Sequence, residues 1–416
     1  MFMLIFLLVC SFYATAMSGD DVNFDDMSRN ELIAHYFGKG YQHKEIVAVL
    51  CSVHAIAISV RTVKRILKTL GLTRRKETSR QTYTRAVQFA ESQLKESGQF
   101  IGYRAFWKRL QHNNINLSQK KTLELLHLMD EEGVETRKRR RLRRRACLNP
   151  GPNFVWHMDG YDKLKPYGFP IHGCIDGYSR RILWLNVART NNNPLLIAQY
   201  FVKTAIELSF LPCVVRADRG TENSHVKRIQ VHFRGEHDDY LSGEASFQYG
   251  KSTGNQRIEA FWGQLRKQFA QFWMNKFKDM ATAGLLDMSS NVELLALRFC
   301  YIQTIRTELR RTTDEWNSHK IRPNRNNETI AGKPDILYFA PDTEGAAQYG
   351  KNFGRADMNV VLDTLENQEE FDDFPPNFLQ LLALLLGNVQ LPTTVQAGDQ
   401  LFRRIVEQYR CARNDM

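Results

Sequence analysis

Three carboxylates stand in contexts that suit work on a phosphodiester. Asp159 closes the apolar run NFVWHMD, Asp218 closes LPCVVRAD, and Glu259 lies inside NQRIEAFWGQLRK. A single Asp after an apolar run ordinarily opens a turn, so neither aspartate carries weight by itself. Three converging carboxylates are different, because they repel one another unless a cation neutralises them. Hard divalent ions with oxygen ligands do that. Two such ions can bracket a phosphodiester, one lowering the pKa of the attacking water or hydroxyl, the other stabilising the leaving oxygen. Mg²⁺ suits such a site because it prefers octahedral oxygen ligation and keeps several waters; Mn²⁺ would suit the same ligands.

The elements that must bring these groups together are legible from residue 153 onward. NFVWHMDG, FPIHGCIDG and RRILWLNVA are short runs rich in Val, Ile, Phe and Trp, separated by turn residues, and predict antiparallel hairpins. NPLLIAQYFVKTAIELS predicts a helix. LPCVVRAD follows it as a fourth strand, so a crossover should set that strand parallel to the first. Asp159 and Asp218 would then emerge at one edge of the sheet, where open α/β sheets place their sites. ENSHVKRIQVHF predicts a further helix, SFQYG a short fifth strand, and TGNQRIEAFWGQLRKQFAQFW one long helix carrying Glu259. The expected fold is α/β, a mixed five-stranded sheet flanked by helices. On that last helix Arg266 lies almost two turns beyond Glu259 and projects the same way, where a cation could hold phosphate. Lys267 and Asn255 are weaker candidates for the same role. Gly220 should provide the turn that leaves Asp218 at the open edge, and Glu222 reads as a helix-start residue favoured by the dipole.

Before the sheet the period changes to that of helices. Residues 28–76 predict three short helices, with Ser28 as a cap, Val63, Ile66, Leu67 and Leu70 recurring at helical spacing on the apolar side, and an end at Gly71. Arg61, Lys64 and Arg65 face outward on the third helix, the helix-turn-helix layout in which that helix enters a major groove. Any three-helix domain with a basic face would give the same pattern. A second unit of this kind spans 81–131, and a basic linker, 137–152, joins it to the sheet. After the core (153–275), residues 276–416 predict a mainly helical region. It includes a polar, basic loop, DEWNSHKIRPNRNN, an acidic stretch from Asp363 to Asp373, and PNFLQLLALLLGNV as a core helix.

The chain of 416 residues is long enough for two or three domains, and its 43% apolar and 25% charged content is ordinary for a globular protein. The net charge of +12 is not ordinary. The run RKRRRLRRR, which contains Arg139, Arg140 and Arg141, concentrates much of it. Such a run marks a nucleic-acid or nuclear-import patch, although a solvated linker has the same composition. Seven cysteines without a CxxC pair exclude a disulfide framework and a zinc ribbon and suit a reducing compartment. Residues 1–27 disagree: MFMLIFLLVCSFYATAM resembles a secretory leader, but it lacks a basic start, and an initiator at Met17 or Met27 fits the rest better. Nuclear localisation is the expectation, with no membrane span.

The stretches WHMDG, IDGYSRRILWL, RADRGTEN and NQRIEAFWGQLRK, in that order, resemble the RNase H-like catalytic core of retroviral integrases and related DDE transposases. GYRAFWKRL with NNINLSQKKTLELL is similar to the helix-turn-helix before the core in some insertion-sequence transposases. WNSHKIRPN with GKPDILYF is similar to the segment after it in integrase-like proteins. The resemblance implies that Asp159, Asp218 and Glu259 are the catalytic, metal-binding triad, with two Mg²⁺ (or Mn²⁺) ions per site. The first Asp would bridge both ions, and the other two residues would hold one each. It implies cleavage of a phosphodiester and strand transfer to DNA, with element ends and target DNA as partners and a homo-oligomer to hold two ends. The sequence departs from the retroviral pattern in two places. The Asp218–Glu259 interval is longer, so RGEHDDYLSGE should loop out, and His43, Cys51 and His54 do not make the retroviral zinc module. A host-retained, catalytically silent DNA-binding protein of the same origin is the alternative reading.

Overall fold

The computed structural model describes residues 27–72, 80–94, 101–113, 115–130, 149–250, 255–322, 330–368, 373–387 and 389–414. Its centre is a five-stranded sheet of order β3-β2-β1-β4-β5. The strands are β1 (Val155–Tyr161), β2 (Ile171–Asp176), β3 (Ile182–Val187), β4 (Val214–Ala217) and β5 (Phe247–Tyr249). The connections between β1, β2 and β3 are too short for a crossover and leave only antiparallel pairing, whereas β4 returns parallel to β1 and β5 parallel to β4. This is the expected mixed RNase H-like sheet.

Three helices precede the sheet: α1 (Arg29–Gly38), α2 (His43–Ser52) and α3 (Val60–Thr69). Ser28 and Glu31 form a reciprocal capping box at the start of α1. Gly71 adopts φ +67°, the left-handed conformation that lets the chain leave α3. Val63, Ile66 and Leu67 are buried, while Arg61, Lys64 and Arg65 are exposed; Leu70, expected with the buried set, caps the helix and is exposed. A second unit, α4 (Arg80–Leu94), α5 (Tyr103–His112) and α6 (Gln119–Met129), closes on its own apolar centre around Ala90, Phe106, Leu110 and Leu125. Arg139, Arg140 and Arg141 lie outside the described residues.

The crossover helix α7 (Pro194–Leu208) covers one face of the sheet. Its Ile197, Ala198, Phe201 and Ala205 are fully buried, with Trp156 of β1 edge-on to Phe201. It is followed by α8 (Ser224–Arg234). The other face is covered by α9 (Gln256–Leu265), whose Ile258, Phe261, Trp262 and Leu265 share an apolar cluster with Ile171, Ile175 and Leu185.

The single long helix expected over TGNQRIEAFWGQLRKQFAQFW is not uninterrupted. It starts at Gln256 and passes through a π-helical turn at Arg266–Ala270 before α10 (Gln271–Thr282) continues it. A wider turn of this kind is absent from any 3.6-residue pattern and is found mostly as a single insertion within an α-helix.

The carboxy-terminal region is helical, as expected, but two of its segments differ from their sequence reading. DEWNS is not loop: it completes the long helix α11 (Asn291–Ser318). There Asn317 exchanges both amide hydrogen bonds with the backbone of Ile182, so the side chain pairs with the edge strand β3 as another strand would. Four more helices are α12 (Pro334–Phe339), α13 (Arg355–Gln368), α14 (Pro376–Leu386) and α15 (Val395–Asn414). α14, read as a core helix, buries Phe378 and Leu382 while Leu384 is 86% exposed, so only one side of it packs.

α12 joins the amino-terminal helices to the core. Asp335 accepts a hydrogen bond from Tyr41 at 2.6 Å and pairs with Arg181 at 3.0 Å, and all three side chains are buried. Lys333 bonds Glu45 and the Gly40 carbonyl, and stands over the Tyr41 ring. α1–α3 therefore share one apolar cluster with the sheet.

Candidate active site

The parallel register sets the two aspartates side by side. His157 of β1 is the Cα partner of Arg216 of β4. Asp159 and Asp218 each lie two residues further on, so they take equivalent positions on one sheet face. The fold brings Glu259 to the same place from above, in the first turn of α9. The electrostatics show the convergence. Burial raises the Asp159 carboxyl to about 7, and the charges of Glu259 and Asp218 add to the rise. Burial likewise raises Glu259, with Asp218 as the second cause.

Asp159 is held by a contact that no motif announces. The Trp262 indole N–H donates to its Oδ2 at 2.9 Å. Asn255 supplies a second tie between α9 and β1, because its amide donates to the Met158 carbonyl at 2.9 Å and its oxygen meets His157 Nδ1 at 2.8 Å. Asn255 is 2% exposed. Its sequence reading as a DNA contact is therefore corrected: it locks the start of α9 onto the strand that bears Asp159. His157, also buried, is pushed down to about 4 by desolvation, so it stays neutral near pH 7.

Asp218 accepts from the Gly220 amide and from Asn223 Nδ2, both at 3.1 Å. The same Asn223 nitrogen reaches Glu222 at 2.9 Å. Glu222 is more than a helix-start residue: it shares the Asn223 donor with Asp218, and burial and that neighbour's charge raise its carboxyl. The Glu222 carboxylate lies over Gly220, where a Cβ would stand 1.9 Å from its Oε1, so a side chain there would displace Glu222. The sequence did hold a signal for this, since an Asp and a Glu four residues apart across a glycine turn can fold back on each other.

Arg266 and Lys267 are exposed. Arg266 donates to Gln271 at 3.1 Å and acts on the Tyr161 phenol, two residues beyond Asp159 on β1, so it stands on the triad's side of the helix. Asp176 is fully buried and accepts from Asn153, Tyr178 and Ser179, a structural role. Asp162 accepts from Asn191 at 2.8 Å.

All the candidate ligands are hard carboxylate oxygens, and burial together with neighbouring negative charge raises Asp159 and Glu259; that donor chemistry fits a divalent cation. Among the described residues, no group of three or more His, Cys, Asp or Glu side chains is placed to hold one ion in common.

Residues 148–334 match the family model of the integrase core domain. The chain carries an integrase core domain. No curated protein is similar enough to the chain to count as a match. The match spans the sheet, α7 to α11 and the WNSH segment, and gives the sheet its integrase-like RNase H fold. The integrase core places the protein's function in the integrase- or transposase-like, nucleic-acid-processing class. Proteins with this core generally bind DNA and use divalent metals.

Proposed function

We propose that the protein is a metal-dependent DNA-cutting and DNA-joining enzyme of mobile-element origin, with Asp159, Asp218 and Glu259 as its ion-holding triad. The observation that carries this reading is the mutual influence of the three carboxylates at the edge where β1, β4 and α9 meet. Divalent ions bound there would supply Lewis-acid stabilisation to the attacking and leaving oxygens of an in-line displacement at phosphorus.

The protein's own residues do the rest. Trp262 and Asn255 fix Asp159 and Glu259 relative to each other through β1 and α9. Arg266 and Lys267, exposed just beyond α9, hold the phosphates of the incoming strand. The exposed Arg61, Lys64 and Arg65 make α3 the helix that lies in a major groove, with Arg139, Arg140 and Arg141 as a further polyanion contact or import signal. DNA ends and target DNA are the partners, a homo-oligomer holds two ends, and the nucleus is the site of action.

The test incubates the purified protein with Mg²⁺ or Mn²⁺ and the DNA ends that flank its own gene. Nicking or strand transfer is expected, and Asp159→Asn and Glu259→Gln should each abolish it without lowering the melting temperature. Activity unchanged in both variants would overturn the triad. DNA binding without any cleavage by the unaltered protein would instead identify a silent DNA-binding descendant.

A further inference from the structure

We infer that Trp262 is a positioning residue for Asp159: its indole N–H holds Oδ2 and so orients the carboxylate that would ligate a divalent cation. This rests on the triad reading above and specifies how one of its ligands is aimed.

Four observations carry it. Trp262 lies three residues beyond Glu259 on α9, so one short stretch of helix brings both a carboxylate and the donor that orients its neighbour. The indole is 6% exposed and packed against Tyr161, with ring centroids 5.1 Å apart, so its direction is fixed by the core rather than by solvent. The residue opposite Asp159 in the β1–β2 register is Gly173. A Cβ there would stand 2.8 Å from Trp262 Cη2, so the strand carries no side chain at the one place where the indole must pass to reach Asp159. Finally, Asn255 ties the start of α9 to the Met158 carbonyl, next to Asp159 in the chain. The helix is thereby held at both ends of the segment that contains Glu259.

A buried indole N–H needs some acceptor, and a purely structural role would ask only that Asp159 be that acceptor. The two roles separate in what they predict. Outer hydrogen bonds to a metal-binding group hold its orientation, and their loss typically weakens metal affinity roughly tenfold to hundredfold. A structural role predicts lost stability and unchanged affinity.

The experiment replaces Trp262 in the full chain with 3-benzothienylalanine, which keeps the bicyclic shape and removes only the N–H. Mn²⁺ binding is read directly, by the electron paramagnetic resonance signal of free Mn²⁺ and by calorimetry. Trp262→Phe and Gly173→Ala serve as second variants, one removing the donor with some volume and the other displacing the indole without touching a polar group. The expected result is a tenfold or greater loss of Mn²⁺ affinity in the isostere, with its melting temperature close to the unaltered protein's. Unchanged affinity in the isostere, beside lost affinity in Asp159→Asn, would overturn the positioning role while leaving the triad standing. Unchanged affinity in Asp159→Asn itself would remove the triad and this inference together.

Discussion

Removing the charge of Asp159 should strengthen the metal-free fold, and by an amount that grows with pH. Its carboxyl is raised to about 7 by burial and by Glu259 and Asp218, against a usual aspartate value of about 3.9. That is a rise of about three units, and at about 1.4 kcal/mol per unit the ionised group weakens the fold by about 4 kcal/mol well above neutrality. Below about pH 4 the group is protonated in folded and unfolded chains alike, so it contributes nothing there. As pH rises, the unfolded chain releases its proton first. The stability that the protonated carboxyl gave is lost progressively and is gone above about pH 7. Asn at this position has a similar shape, can still accept from Trp262, and does not titrate. Asp159→Asn should therefore gain on the unaltered protein by about 3 kcal/mol between pH 5 and pH 8.5. Urea unfolding in EDTA at those two pH values reads this directly, because every other group titrates in both proteins. A stability difference that does not change with pH would refute the reasoning. Saturating Mg²⁺ should shrink the variant's advantage, since an ion that binds only the folded unaltered protein stabilises it by mass action.

Other outcomes follow from the same structure. Asp335→Ala removes the buried carboxylate that pairs with Arg181 and accepts from Tyr41, and urea unfolding should show a loss of about 3–5 kcal/mol. Glu222→Gln removes the charge that faces Asp218, so the metal-free protein should melt higher at neutral pH; a lower melting temperature would contradict the contact. Replacing Arg61, Lys64 and Arg65 together by Ala should weaken duplex binding. Fluorescence anisotropy at several salt concentrations should show the slope of log affinity against log salt reduced by about three, one per lost phosphate contact.

The sheet was legible because its strands are short β-branched and aromatic runs with clear turns, and because a helix between the third and fourth runs dictates a parallel return. Asp218 was legible for the same reason, since it stands just past the end of β4, whereas β1 runs on to Tyr161, so Asp159 lies within its strand and not at the end that the turn-forming Gly160 suggested. What escaped depends on contacts between distant parts of the chain. Trp262 looks like one more apolar residue of an amphipathic helix until its N–H is seen on Asp159. Asn255 looks like a polar residue free to meet DNA until β1 is placed beneath it. The π-turn at Arg266 breaks a pattern that reads as continuous, and α14 reads as core because its apolar residues run all round the helix while only one side finds a neighbour. Tyr41 and Asp335 lie nearly three hundred residues apart, and nothing local to either reveals the pairing.

That last pairing has a geometric consequence. With Tyr41, Asp335 and Arg181 buried in one network, and α1–α3 continuous with the apolar interior of the sheet, the amino-terminal helices are not a tethered reader swinging on a linker. If α3 grips a duplex as proposed, the stretch from that grip to the carboxylate edge is a constant of the fold. The protein would then choose its scissile bond as a ruler does, by counting a fixed length of DNA from the helix rather than by recognising the bond itself.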